Sequence, residues 1–305
     1  MRLFDLHCDT LCAVTDSGAA FSENSFAVDL HRGGRYADWV QTFAAFLPDG
    51  LIAEDARRRC WSLLDAADRW AAETPDFCPV LDAAALANPV PACRALLSVE
   101  NGGALAADHA YLSALRRRGV RMVGLTWNGD NVWASGCFGC GDGLTAAGRQ
   151  AIRELESLSM VVDVSHLGER GFWQLESCAQ RPFVATHSNA ANVSFHPRNL
   201  SDDQFRAIRD RGGIVGLNLY GEHLGEWSFA AVQRHLEHFL ALNGETTVCF
   251  GTDLDGMDIP AAWNGIAVME ALWQYLAEQG YPAELLDAVF YNNAYSFFAK
   301  TLDNT

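Results

Sequence analysis

MVVDVSH, residues 160–166, sets the four apolar residues Met160, Val161, Val162 and Val164 around one acid before ending in Ser165-His166. A strand with one wet face alternates apolar and polar residues. A nearly continuous apolar run instead fits a strand covered by helices on both faces, the situation inside a parallel sheet. GGIVGLN at 212–218 has the same character, and comparable runs occupy 2–7, 39–47, 94–100, 121–127, 183–187 and 247–253, which makes eight. The segments between them carry helical period. Residues 54–73 place Ala56, Cys60, Leu63, Leu64 and Ala67 on one stripe, and residues 143–158 follow a cap candidate at Thr145 with Ile152, Leu155 and Leu158. Ser201-Asp202-Asp203 opens another helix over 200–211, and 228–242, 265–279 and 284–299 read as three more. Strand and helix alternating eight times predict an α/β fold, a (β/α)8 TIM-type barrel in a single domain over 1–305, with an open doubly wound sheet as the alternative. Residues 11–38 and 129–142 are the longest stretches without period.

Composition narrows the function. The chain of 305 residues has 38 acidic and 22 basic side chains and a net charge of −16. Such a field repels phosphate backbones and anionic lipid, so no nucleic-acid partner and no membrane partner are expected. Lysine occurs once, at Lys300, which leaves almost no place for a Schiff-base, P-loop or metal-bridging lysine. Nine cysteines, an odd number scattered along a long chain, fit a reducing compartment, and with no secretory leader pattern after Met1 a cytoplasmic location is expected.

The chemistry collects at the strand ends. The first run leads into His7-Cys8-Asp9, the third ends in Glu100, the fifth in His166, the sixth in His187 and the eighth in Asp253. In a barrel these ends face one mouth, where active sites sit. Residues i and i+2 of a strand project to the same side, so His7 and Asp9 can reach one ion. Imidazole and carboxylate donors suit zinc, manganese or iron. Each residue alone has an ordinary explanation, a buried histidine or a helix cap. Their coincidence at five of eight strand ends predicts a metal centre. Other features carry less. Cys137 and Cys140 have metal or redox spacing but no second pair follows, so a Gly-rich loop is expected. His235 and His238 read as a solvated helix face, and Trp127, Trp133 and Trp263 as pocket walls or packing.

Beyond single residues, the sequence resembles the renal, or membrane, dipeptidase family of metallopeptidases, within the amidohydrolase superfamily. The resemblance runs the length of the chain through FDLHCDT (4–10), FAVDLHRGG (26–34), SVENGGAL (98–105), LTWNGDN (125–131), VVDVSHLGE (161–169), THSNA (186–190), HPRNLSDD (196–203), GGIVGLN (212–218) and GTDLDG (251–256). It implies two Zn²⁺ per chain, or other divalent metals, with His7 and Asp9 on one ion, His166 and His187 on the other, and Glu100 bridging. It also implies a metal-activated water whose proton Asp253 handles, Arg198 gripping the terminal carboxylate of a dipeptide substrate, and a homodimer. The family's usual histidine after Leu-Thr is here Trp127, so the resemblance leaves substrate contact at this point to Trp127 or Asn128. The implied function is hydrolysis of the peptide bond of dipeptides. The alternatives are another amidohydrolase activity, on a lactam, cyclic amide or N-acyl amino acid, and a non-catalytic metal-binding protein retaining the fold.

Overall fold

A computed structural model describes residues 1–88 and 93–302, so the last three residues of the expected domain lie outside the described residues. Eight strands run parallel: β1 (Arg2–Cys8), β2 (Asp38–Phe46), β3 (Phe77–Pro79), β4 (Cys93–Glu100), β5 (Val120–Gly124), β6 (Val161–Asp163), β7 (Val215–Leu217) and β8 (Val248–Phe250). Their order is β6-β5-β4-β2-β1-β8-β7, with β3 paired to the start of β4. Residues 183–187 close the remaining gap. Val164 N–H donates to Val184 O at 2.8 Å, and Val184 N–H to Val162 O at 3.0 Å. On the other side Ala185 N–H reaches Ile214 O at 3.1 Å and Gly216 N–H reaches Ala185 O at 2.8 Å. The eight apolar runs thus form a closed barrel. The sixth pairs through isolated bridges rather than as a regular strand, and β3 is an addition too short to show a period.

Helices surround the barrel: α1 (Thr10–Ser17), α2 (Ala53–Glu73), α3 (His109–Arg117), α4 (Ala146–Ser157), α5 (Glu169–Cys178), α6 (Asp202–Asp210), α7 (Phe229–Ala241), α8 (Val268–Glu278) and α9 (Asn293–Thr301). Thr145 caps α4 by accepting from Gly148 N–H. Ser201 and Gln204 form a reciprocal capping box on α6. Two expectations change. The stretch 11–38 is not irregular throughout, because it opens with α1. The single helix expected over 284–299 is interrupted by a wide π turn at Ala288–Asn292, after which the Asn293 amide donates to the carbonyls of Glu245 and Val248, both at 2.8 Å.

Apolar side chains fill two layers. One lies between barrel and helices and includes Leu3, Phe43, Leu63, Leu155, Phe172 and Phe205. The other lies inside the barrel, where Phe4, Val40, Leu96, Met122, Val161, Val184, Ile214 and Cys249 meet Phe297 and Phe298 of α9. The Phe4 and Phe298 rings stack with centroids 5.5 Å apart. Each such side chain contributes about 1.5–3 kcal/mol of burial. The helix therefore plugs the amino-terminal end of the barrel and leaves the opposite end for chemistry. Glycine is required where the barrel narrows toward that end. A Cβ at Gly216 or Gly251 would stand 1.9 or 1.7 Å from the Thr186 carbonyl oxygen.

His235 and His238 do not form a solvated face. His235 is fully buried, accepting from Ala190 N–H at 3.0 Å, and His238 meets Asp202 at 2.7 Å. Periodicity treats histidine as polar, but a neutral imidazole that accepts with one nitrogen and donates with the other can be satisfied in a core.

Candidate metal centre

His7 reaches the barrel mouth through an irregularity of β1. Asp5 pairs with Gln41, but Cys8 pairs with Phe43, so β1 spends one residue more than β2 over this interval. Phe4 faces the interior; strict alternation from it would turn His7 outward. The bulge resets the parity. It leaves Cys8 in the outer layer and sends His7 and Asp9 inward together. Asp5, fully buried, fixes this bend. It accepts from Thr252 N–H and the Thr252 hydroxyl at 2.7 Å each, and from Gln41 at 2.8 Å.

Six side chains converge. His7 Nε2 lies 3.5 Å from Asp9 Oδ2, 3.4 Å from Glu100 Oε2 and 3.8 Å from Asp253 Oδ1, without forming a hydrogen bond to any of them. Asp9 Oδ1 is likewise buried without a partner. The other oxygen of Glu100, Oε1, lies 2.9 Å from His166 Nε2 and 4.0 Å from His187 Nε2. The two imidazole Nε2 atoms are 3.0 Å apart. Three groups of potential metal donors result, His7-Asp9-Glu100, Glu100-His166-His187 and His7-His187-Asp253, each with donor atoms within 4.8 Å of one another. The donor chemistry and the unpartnered nitrogen and oxygen fit divalent cations.

Backbone and hydrogen bonds aim these groups. His166 and Asp253 have φ of +67° and +63°, and Asn101, next to Glu100, has +65°. Strained conformations of this kind cost of order 1–3 kcal/mol each and collect at functional sites. His166 Nδ1 lies 2.9 Å from Asn128 Oδ1, and His187 Nδ1 lies 2.8 Å from the Thr186 hydroxyl. Both contacts leave Nε2 directed at the shared centre.

The electrostatics are divided. Burial pushes the His7 imidazole down, but the carboxylates of Asp9 and Glu100 reverse this and hold it well above its ordinary value. Burial and the Arg198 guanidinium push His166 down to about 4. Burial, His7 and Arg198 push His187 well down. Burial raises Glu100, yet its contacts with His166 and His7 win and hold it well below the usual carboxylate range. Asp253 is pushed up to about 7 by burial, opposed by His7 and assisted by Asp9 and Glu100.

A cleft of about 900 Å³ opens over this centre. Asp9, Glu100, Trp127, His166, Arg198 and Asp253 all border it. Arg198 is 4 % exposed; its Nη2 donates to the His187 carbonyl at 3.3 Å and its Nε has no partner. Among the described residues no carboxylate pairs with it. Trp127 packs edge-on against Phe46 with ring centroids 5.0 Å apart, so it forms a wall of the cleft. Asn128, expected to contact the substrate, also borders the cleft, with its Oδ1 2.9 Å from His166 Nδ1. Trp133 is buried, and Trp263 packs edge-on to Trp227. Cys137 and Cys140 take part in none of the three donor groups among the described residues. Their loop is ordered by backbone bonds such as Cys137 N–H to His166 O at 2.8 Å. Tyr220 and His223 also border the cleft and were not singled out from the sequence. They follow the end of β7, whose LNLY continuation carries no metal-type residue to mark it.

Comparisons with known proteins identify relatives of the chain. The family model described as membrane dipeptidase (Peptidase family M19) matches residues 1–303. A Klebsiella pneumoniae protein, named as uncharacterized in the pqqA 5′ region, is 36% identical over 209 residues, covering 64% of this chain and 77% of its own. Mouse dipeptidase 3 is 27% identical over 272 residues, covering 86% of this chain and 55% of its own. A metallo peptidase from Rhodobacter sphaeroides, solved with a phosphinate mimic of the dipeptide L-Ala-D-Ala, superposes with a TM-score of 0.88 at 27% identity over 99% of both chains. A second solved metallo peptidase, dipeptidase AC, gives 0.89 at 26% identity, again over 99% of each chain.

Proposed function

Because this chain belongs to the membrane dipeptidase family of metallopeptidases, we propose that it hydrolyses the peptide bond of dipeptides at a binuclear zinc centre in the barrel mouth. The observation that carries the reading is the position of Glu100, one oxygen toward His7 and the other toward His166. A carboxylate so placed can join a site formed by His7 and Asp9 to one formed by His166 and His187. Cations bound there would supply Lewis acidity to the scissile carbonyl and acidify water.

The chain's own residues do the rest. Asp253, which borders the cleft 3.8 Å from His7 Nε2, can take a proton from the attacking water and return it to the leaving amine. Arg198, buried and among the described residues without a carboxylate partner, meets the free carboxylate of the substrate. A longer peptide would present a neutral amide there and leave the guanidinium unpaired, which restricts the enzyme to short substrates. Asn128 fixes the His166 ring, and Trp127 bounds the cleft with one N–H donor and no charge. The dipeptide mimic held by the Rhodobacter relative supports the same substrate class. Nine free cysteines support a reducing, cytoplasmic location. Among the described residues no helix is long and apolar enough to cross a membrane.

Trp127 favours a second reading, cleavage of an N-acyl amino acid or cyclic amide, because it removes a positively charged contact from the cleft. The test is metal content together with hydrolysis of L,L-, L,D- and D-configured dipeptides against N-acyl amino acids, before and after chelation. Chelator-sensitive dipeptide cleavage with about two metals per chain supports the proposal. Cleavage of the acylated substrates alone favours the second reading. A metal-free, inert protein contradicts both.

A further inference from the structure

The buried pair Asp163 and Thr186 stands behind His187 and is not part of the donor set. Asp163 Oδ1 accepts from Ser165 N–H at 2.9 Å and Thr186 N–H at 3.0 Å, and Oδ2 lies 2.5 Å from the Thr186 hydroxyl. That hydroxyl is also 2.8 Å from His187 Nδ1. A threonine hydroxyl has one proton, and a carboxylate can only accept. The proton therefore goes to Asp163, which leaves the hydroxyl oxygen to accept. His187 Nδ1 must then be the donor, and the lone pair of the ring falls on Nε2, the atom facing His166 and Glu100.

The same construction recurs across the barrel. Asp5 takes the N–H and hydroxyl of Thr252, the residue before Asp253, and its Oδ1 lies 3.4 Å from His7 N. In both places a buried aspartate clamps a threonine that directly precedes a side chain of the centre. The difference is informative. Only Thr186 is followed by a histidine, and only its hydroxyl is shared with a ring nitrogen.

We infer that Asp163 and Thr186 are positioning residues that lock His187 as the Nδ1–H tautomer, presenting Nε2 as a ready lone pair to a divalent cation. The inference builds on the metal centre proposed above but needs no dipeptidase activity. Ligand-orienting partners of this kind typically change metal affinity by about 10–100-fold. Removal of the hydroxyl frees the ring to choose either tautomer, while the shape of the site is kept.

The experiment compares Thr186→Val, Thr186→Ser and Asp163→Asn with the natural chain, using Zn²⁺ in competition with a chromophoric chelator and melting of the metal-free proteins as a second readout. Zinc affinity is expected to fall about 10–100-fold in Thr186→Val and Asp163→Asn and to stay within about threefold of the natural chain in Thr186→Ser. A merely structural role would lower the melting temperature and leave affinity unchanged, and that result overturns the inference. Nitrogen-15 spectra of the metal-free natural protein give an independent answer should the variants fold poorly. A proton on His187 Nδ1 is expected; a proton on Nε2 contradicts it. Chelator-sensitive zinc binding without dipeptide cleavage would refute the substrate reading and leave this one standing.

Discussion

Asp253 and Arg198 occupy the same cleft with opposite tasks, and substitution should separate them. Asp253→Asn keeps the shape and removes the proton acceptor, so kcat should fall about 10²–10⁴-fold with zinc content unchanged. Loss of zinc along with activity would make Asp253 a ligand first. Arg198→Ala should raise KM for dipeptides at least about tenfold with little change in kcat, provided the carboxylate contact is equal in ground and transition states. An unchanged KM in steady-state assays would remove Arg198 from substrate recognition. At this scale six residues were legible in the sequence, His7, Asp9, Glu100, His166, His187 and Asp253, because strand ends in a barrel face one mouth. The tasks of Asn128, Asp163 and Thr186 were not. Each depends on a hydrogen-bond partner at least 23 positions away in the chain, which no spacing rule specifies.

Elements decide whether those six side chains meet. The H-x-D spacing of β1 was legible, but the bulge that turns it inward was not, because an extra residue shows only against the register of β2. The eight apolar runs gave the barrel. Residues 183–187 keep their place through four backbone bonds, and Thr186 leans into space left by Gly216 and Gly251. Gly251→Ala should therefore cost about 1–3 kcal/mol of stability by overpacking. It should also weaken zinc binding, because the Thr186 carbonyl cannot retreat without moving His187. Denaturant unfolding and chelator competition on the same variant check both effects. A stable variant with normal zinc affinity would show that the approach at Gly251 does not set the centre.

Across the whole molecule, stability should also depend on acid through a histidine outside the donor groups. His235 is buried and pushed down to about 4, chiefly by burial, and its Nδ1 is occupied as an acceptor. Between about pH 6.5 and 4 the unfolded chain binds a proton at this residue and the folded chain does not, so stability falls as pH falls through that window. The loss is on the order of 3 kcal/mol and should be smaller in His235→Asn, which keeps an acceptor near Ala190 but cannot titrate. Urea midpoints at several pH values measure it; equal slopes in the two proteins would show that other groups govern acid unfolding.

Every proposed role at the barrel mouth rests on cations gathered around Glu100. Anomalous diffraction at the zinc edge, from crystals of the protein purified with its metal, locates them directly. Two peaks are expected, one among His7, Asp9 and Glu100 and the other among Glu100, His166 and His187. Peaks elsewhere, or none at this mouth in a protein that still cleaves dipeptides, would contradict those roles.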